Sequence, residues 1–312
     1  MKNRFLLLAL LFLNFGMSQT QSAAYAVRQD NVAANLRALT SDEMEGREAG
    51  TPGIEKAAVL LENYFKQINI QPYFKTYRDT LTTFARPTCN IVGYIEGNDP
   101  VLKNQFIILG GHYDHIGMTY GNANTDRINN GANDDASGVT AVLEIARFFS
   151  QSKSNKRSLL FVCFSGEEKG LLGSKSLAKK LKAQKIDLYT MLNFEMIGVP
   201  MNRDYTAYIT GFDKSNMAAK INEYAGTKVV GYLEAEKSYQ LFSRSDNYSF
   251  YKEFHIPSQT VCTFDFENYE FYHQPGDEFE EMDIPHMTSF IQTMIPVIEK
   301  MANASTKEIK IN

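Results

Sequence analysis

The sequence predicts an α/β fold of three layers, in which a mostly parallel central sheet carries helices on both faces. Short runs rich in Val, Ile, Phe and Tyr are bounded by Gly, Pro or charged residues, as strands are. Helical segments separate several of these runs, and such alternation is typical of a covered parallel sheet. The chain has 312 residues, 44% of them hydrophobic, so we expect one domain with one sizeable core.

The predicted elements begin with two helical pieces within residues 27–72, joined by a charged, glycine-rich connector at 41–53. The second piece, 54–68, has apolar residues at helical spacing. Predicted strands follow at 89–95, 106–109, 159–164, 189–194, 205–210 and 258–264. Predicted helices lie between them at 139–149, 171–181 and 214–225, and Ser137 is placed to cap the first of these three.

Composition limits the possible partners. The formal net charge is -4 and the pI is near 5.8, so the chain lacks the basic excess with which proteins bind nucleic acid. The three cysteines, Cys89, Cys163 and Cys262, form no CxxC or other metal spacing. We therefore expect buried core thiols, with neither a disulfide framework nor a thiolate zinc site.

Residues 1–26 predict a secretory signal peptide. Two positive charges precede an apolar run at 5–13 and then small residues, with cleavage expected after Ser18 or after Ala26. The alternative is an uncleaved membrane anchor, but the apolar run is shorter than a bilayer span requires. We expect an exported protein, periplasmic or secreted, without a stable membrane anchor.

Candidate metal ligands follow the predicted strands. Any one of them alone is more often a helix cap or a solvated charge, but their recurrence at successive strand ends indicates a site. In open α/β sheets ligands bind at the carboxyl ends of the strands, so these side chains are expected to meet there. They are His112 and Asp114, Asp134 and Asp135, Glu167 and Glu168, Glu195, and His273.

Imidazoles and carboxylates without thiolates suit zinc or another borderline divalent ion. These candidates come from five segments, and one ligand from each is too many for one open tetrahedral zinc but suits two ions that share a bridging carboxylate. Two ions about 3.5–4 Å apart lower the pKa of a common water and polarise a carbonyl group. Glu167 and Glu168 are adjacent, which suggests that one binds metal and the other is a general base.

Five motifs occur in a fixed order within residues 32–301: H-x-D, N-D-D-A-S-G, G-E-E-x-G-L-x-G-S, N-F-E-M-I-G and Y-H-x-P-x-D. As an ordered set they resemble the secreted bacterial zinc aminopeptidases with co-catalytic metals, whose family includes glutamate carboxypeptidase and glutaminyl cyclase. The resemblance implies a sandwich of the zinc-exopeptidase type, with residues 27–312 as a single zinc peptidase domain and two zinc ions per chain.

The resemblance also implies a set of ligands. Asp134 would bridge the two ions, His112 and Glu195 would complete one site, and Glu168 and His273 would complete the other. Many relatives have aspartate where this chain has Glu195. The side chain of Glu195 is longer by one methylene, and we expect a shifted backbone to accommodate it.

Further roles follow from the same resemblance. Glu167 would be the general base that takes a proton from the attacking water and delivers it to the leaving amine. Asp114 would fix the tautomer of His112 through its carboxylate, and Tyr272 would donate a hydrogen bond to the oxyanion. A cis peptide bond is implied between Asp134 and Asp135, and Arg244 would lie near the substrate.

Three readings of the activity stay open. The first is an aminopeptidase acting on peptides with a free N-terminus, since no Lys or Arg cluster beside the motifs suits a terminal carboxylate. The second is a single-zinc glutaminyl cyclase, although this chain lacks the tryptophans of that site. The third is a non-catalytic binding module. His115, His255 and His286 are left outside the predicted site, and the sequence leaves the oligomeric state open.

Overall fold

The computed structural model describes residues 25–119 and 126–312. The predicted signal peptide falls on residues 1–26, of which 1–24 lie outside the described part. A nine-stranded sheet forms the centre of the described chain, in the order β1-β3-β5-β4-β6-β9-β7-β8, with β2 also paired to β3. The strands are β1 Gln71–Pro72, β2 Arg78–Leu81, β3 Thr88–Ile95, β4 Gln105–His112, β5 Ser158–Phe164, β6 Asp187–Glu195, β7 Ala207–Ile209, β8 Val230–Gly231 and β9 Ser258–Cys262.

The centre of the sheet is parallel, as predicted. Strands β5, β4, β6 and β9 run in the same direction, so their carboxyl ends share one edge of the sheet. Antiparallel pairs join this centre to the margins, where β3 pairs with β5 and β7 pairs with β9, whereas the outermost pair of β7 and β8 is parallel. Strands β1 and β2 also pair with β3 in antiparallel orientation, because the short loops between these three strands are too short for the crossover connection that a parallel pair needs.

Helices cover both faces of the sheet. In β5, Leu159, Phe161 and Cys163 join the large hydrophobic core beneath one set of helices. Their alternate neighbours Leu160, Val162 and Phe164 pack on the other face, in a second core that includes side chains of α4 and α7. The α-helices are α1 Gln29–Leu39, α2 Pro52–Gln67, α3 Gly138–Ser152, α4 Leu172–Ala183, α5 Met217–Ala225, α6 Ala235–Tyr239, α7 Asn247–Phe254 and α8 Ile284–Asn303.

The three-layer arrangement therefore matches the predicted fold class. Cys89, Cys163 and Cys262 are all buried and free, as expected of core residues. Within the described residues, none of the helices combines the length and the apolar character needed to cross a membrane.

Candidate metal centre

The predicted site residues meet at the carboxyl edge of the parallel strands. His112 is the last residue of β4 and Glu195 is the last residue of β6. Glu167 and Glu168 lie in the turn that follows β5, Asp134 lies in an irregular helical turn that precedes α3, and His273 lies in the loop after β9. Segments far apart in sequence thus contribute to one cluster.

The carboxylate of Asp134 faces two groups of side chains. Its Oδ1 atom lies 3.2 Å from Nε2 of His112, whereas its Oδ2 atom lies 3.0 Å from Nε2 of His273. Asp134 is almost completely buried, so both oxygens are held away from bulk water. This carboxylate divides the cluster into a first side, with His112 and Glu195, and a second side, with Glu168 and His273.

On the first side, Nε2 of His112 lies 3.0 Å from Oε1 of Glu195. The other ring nitrogen, Nδ1, lies 2.9 Å from the main-chain oxygen of Asp114. A carbonyl oxygen only accepts hydrogen bonds, so Nδ1 carries the hydrogen and donates it. The lone pair of Nε2 is then directed towards the carboxylates, which is the orientation required of a metal ligand.

On the second side, Nε2 of His273 lies 3.2 Å from Oε1 of Glu168. A second imidazole approaches the same oxygen, since Nδ1 of His115 lies 3.1 Å from it. His115 was left outside the predicted site, and the structure places it within the cluster. Its position three residues after His112, at a strand end, was the only signal in the sequence.

Asp114 acts differently from the expectation. Its carboxylate lies 3.8 Å from Nδ1 of His112, beyond hydrogen-bonding distance, and the main-chain carbonyl takes that role instead. The carboxylate oxygens accept the main-chain N–H groups of Glu167 at 3.1 Å and Glu168 at 3.4 Å. Asp114 therefore positions the turn that carries the two glutamates.

Asp135 is fully buried and binds main-chain amides. One oxygen accepts the N–H of His112 at 3.1 Å, and the other accepts those of Gly138 and Met196 at 3.0 Å. An oxygen of Asp135 also lies within 4.8 Å of the ligand atoms of His112 and Glu195. The oxygens of Asp135 thus already accept amides of β4, of α3 and of the segment after β6, whereas the two oxygens of Asp134 face His112 and His273. The peptide bond between Asp134 and Asp135 is cis.

The N-terminal cap of α3 is also different from the predicted one, Ser137. Asp135, rather than Ser137, accepts the N–H of Gly138 at the first turn of the helix. The hydroxyl of Ser137 donates to the carbonyl of Asn133 at 2.7 Å and accepts the N–H of Ile197 at 2.8 Å. Ser137 thus links the turn before α3 to the segment after β6.

Asp277, the last residue of the Y-H-x-P-x-D motif, fixes the turn that carries Asp134. Its Oδ1 atom accepts the main-chain N–H of Asn133 at 2.7 Å, and its Oδ2 atom accepts that of Asp134 at 3.1 Å. The hydroxyl of Tyr269 donates to the same carboxylate at 2.7 Å. The loop that holds His273 is therefore connected to the turn that holds Asp134.

Arg47, from the early connector, is fully buried beneath the site. Its guanidinium donates to the carbonyls of Leu39 at 2.7 Å, Tyr113 at 2.8 Å and Gly131 at 2.9 Å, and also to that of Asn130. Burial lowers the pKa of Arg47 to about 10, so it stays charged at neutral pH among the buried aspartates. The sequence alone gave no indication of this role.

The two adjacent glutamates differ in their electrostatics. Burial, with the charges of Glu195 and Asp246, raises the pKa of Glu167 well above its usual value. For Glu168, burial and the negative charge of Asp134 also raise the pKa. Hydrogen bonds with His115 and His273 outweigh these effects and lower the pKa of Glu168 to about 2. The pKa values of the two adjacent carboxyl groups are therefore shifted in opposite directions.

A cavity of about 460 Å³ opens above the cluster. Its apolar wall includes Tyr208, Leu241, Cys262, Phe264 and Phe266. Tyr272 lines it beside the metal-facing residues, with its ring stacked on that of His273 at 4.0 Å between centroids. Burial raises the pKa of Tyr272, so its hydroxyl stays protonated and able to donate. Arg244 also lines the cavity.

The donor atoms of the cluster are suited to zinc. The ligand atoms of His115, Asp134, Glu168 and His273 all lie within 4.8 Å of one another. Imidazole nitrogens and carboxylate oxygens are common zinc ligands, and no thiolate contributes among the described residues. The side chains that are present therefore fit the predicted metal.

Residues 90–298 match the model of peptidase family M28, and the chain belongs to this family. It is 38% identical over 195 residues to a probable zinc metalloprotease of Pyrenophora tritici-repentis, covering 58% of this chain and 44% of the relative. It is 29% identical over 227 residues to a probable leucine aminopeptidase of Trichophyton verrucosum, covering 68% and 56%. The chain spans about half the length of these curated relatives, which are fungal and do not address a bacterial source.

The fold is also found in the crystal structure of the Legionella pneumophila LapA aminopeptidase. The TM-score is 0.67 at 24% identity, over 88% of this chain and 72% of that one. At this identity the likeness supports the zinc-exopeptidase fold and does not assign an activity.

Proposed function

We propose that this protein is an aminopeptidase that hydrolyses N-terminal peptide bonds with two zinc ions and Glu167 as general base. The observation that carries the proposal is the position of the Asp134 carboxylate between two histidines. Its Oδ1 atom lies 3.2 Å from Nε2 of His112, and its Oδ2 atom lies 3.0 Å from Nε2 of His273. A carboxylate shared in this way suits two neighbouring ions. Bound zinc would lower the pKa of an attacking water and polarise the scissile carbonyl.

The residues around the cavity supply the other parts of the reaction. Glu167 lines the cavity, and its raised pKa suits a group that takes a proton from water and passes it to the leaving amine. Tyr272 lines the cavity and keeps its hydroxyl hydrogen, and it would donate to the oxygen on which negative charge develops. Asp114 orients the turn of Glu167 through the main-chain N–H of that residue.

The charges around the cavity favour a free α-amine at the substrate end. Glu167 and Glu195 both line it and attract an ammonium group. Lys175 and Arg244 are the lysine and arginine side chains that line the cavity within the described residues. They could instead bind the terminal carboxylate of a peptide, and peptides with blocked ends test this alternative. The apolar wall around Tyr208 and Phe264 favours a large apolar first residue, and one of the relatives carries the name leucine aminopeptidase.

We also propose that the protein is exported to the periplasm or secreted. The support is the charged, apolar and small-residue pattern of residues 1–26. N-terminal sequencing of the protein recovered from outside the cytoplasm would locate cleavage after Ser18 or after Ala26. Recovery of the uncleaved chain in the membrane fraction would support the anchor instead.

A peptide panel tests the activity. The purified chain is incubated with free, N-acetylated and C-amidated peptides, with and without a chelator and added zinc, and products are identified by mass. We expect stepwise loss of N-terminal residues from free and C-amidated peptides, fastest after Leu or Phe and abolished by chelation. Loss of ammonia from N-terminal glutamine without shortening would indicate a cyclase, and no turnover by the zinc-loaded protein would favour a binding module.

A further inference from the structure

His115 lies among the candidate ligands of the second side, with Asp134, Glu168 and His273. Its side chain is fully buried, and Nδ1 points into the second side of the cluster. That atom lies 3.1 Å from Oε1 of Glu168 and 3.9 Å from Oδ2 of Asp134. The ring also stands edge-on to that of His273, with 5.6 Å between centroids.

The backbone fixes this orientation of His115. Its N–H donates to the carbonyl of Arg47 at 3.2 Å, which ties the loop after β4 to the early connector. The ring packs against Gly131, where a Cβ atom would lie 2.6 Å from the ring carbon Cγ. The Nε2 atom is buried without a hydrogen-bond partner in residues 25–119 and 126–312, so no side chain described there holds the ring by that nitrogen.

The four atoms of the second side have the spacing of a tetrahedral zinc site. Bonds of about 2.0–2.1 Å separate the ligands of tetrahedral zinc by about 3.3–3.4 Å. His273 Nε2 lies 3.0 Å from Asp134 and 3.2 Å from Glu168, while His115 Nδ1 lies 3.1 Å from Glu168 and 3.9 Å from Asp134. These four edges scatter around the expected value.

We propose that His115 is a fourth protein ligand on the second side, so that the two zinc positions are chemically unequal. The second side would be closed by His115, Asp134, Glu168 and His273, as in structural zinc sites. The first side, with His112, Asp134 and Glu195, keeps three protein ligands and a free position for water or substrate. The second ion is then held more tightly and is released last. This inference rests on the proposed two-zinc site.

The experiment measures metal binding rather than turnover. Zinc content of the full chain is followed by mass spectrometry during dialysis against chelators of increasing strength. His115→Ala and His115→Asn are compared with His286→Asn, a control that also removes an imidazole with a buried, unpartnered Nε2 atom. We expect two ions released in two steps from wild type and from the control. Both His115 variants should weaken the tighter step by about 100-fold or more, since each removes a ligand.

The asparagine variant separates a ligand from a positioning residue. Asparagine keeps an N–H donor close to the place of Nδ1 but is a poor zinc ligand. If His115→Asn retains wild-type affinity while His115→Ala does not, His115 only orients Glu168 and the proposal is overturned. Two unchanged release steps in both variants overturn it as well. Binding of a single ion by wild type overturns the two-zinc function instead, and loss of that ion in both His115 variants would still support His115 as a ligand.

Discussion

The two sides of the Asp134 carboxylate are held in different ways. On the first side, His112 and Glu195 are the last residues of two neighbouring parallel strands, so the sheet itself sets their separation. On the second side, Glu168, His273 and His115 lie in loops. Those loops depend on buried groups elsewhere, namely the Asp114 carboxylate, Asp277 and Arg47. A site shared between strand ends and loops needs dedicated hydrogen bonds on its loop side.

Asp134→Asn should have the largest effect, because it removes a charge shared by both sides. We expect loss of both zinc ions and activity below detection, since an amide is a weaker ligand than a carboxylate. Zinc content and kcat/KM measure this, with thermal unfolding as a check on folding. Asp204→Asn, a change at an exposed aspartate, serves as control. Retention of one tightly bound ion would show that Asp134 serves a single side.

Glu167→Gln should lower kcat by about 10³–10⁴-fold, because the variant cannot accept a proton. Both ions should stay bound, since no ligand of either side is changed. The matched control is the neighbouring Glu168→Gln, which should release the ion of the second side. The pKa values of Glu167 and Glu168 are shifted in opposite directions, which indicates that one is the base and the other a ligand. Equal zinc loss from both variants would contradict this distinction.

Tyr272→Phe should lower kcat by about 10²-fold, the usual effect of removing one oxyanion donor. KM and zinc content should stay close to wild type, because the aromatic ring that stacks on His273 is retained. Kinetics on one free peptide, with Tyr232→Phe as an exposed control, measure the difference. A rise in KM with unchanged kcat would instead place Tyr272 in substrate binding.

Glu195→Asp should have the smallest effect, confined to the first side. The shorter side chain withdraws the carboxylate from His112, which it approaches at 3.0 Å, and from its hydrogen bond with Ser245. We expect about a tenfold weaker affinity for the more loosely held ion, in the range typical of changes around a ligand. The tighter ion should be unaffected. Weakening of both ions would show that the two sides are not independent.

The strand-end residues were predictable because parallel strands bring their carboxyl ends together whatever the lengths of the intervening segments. His112, Glu195 and the pair of glutamates follow from that rule and from hydrophobic runs visible in the sequence. His115, Asp277 and Arg47 depend on loop contacts between residues 53 to 144 positions apart, which no local pattern encodes. The role predicted for the Asp114 carboxylate, a hydrogen bond with His112, was wrong for a similar reason. The turn after β5 presents two main-chain N–H groups, those of Glu167 and Glu168, and the carboxylate accepts these instead.

The hydrogen bonds of Arg47 show what the chain would lose if it were shortened to the family match. The family match begins at residue 90, yet the guanidinium that fastens the loops after β4 and before α3 comes from residue 47. A fragment trimmed to the match would leave three buried carbonyls, those of Tyr113, Asn130 and Gly131, without their donor. A shortened form that keeps all four hydrogen bonds of Arg47 has to include Leu39, the last residue of α1, whose carbonyl is the fourth acceptor.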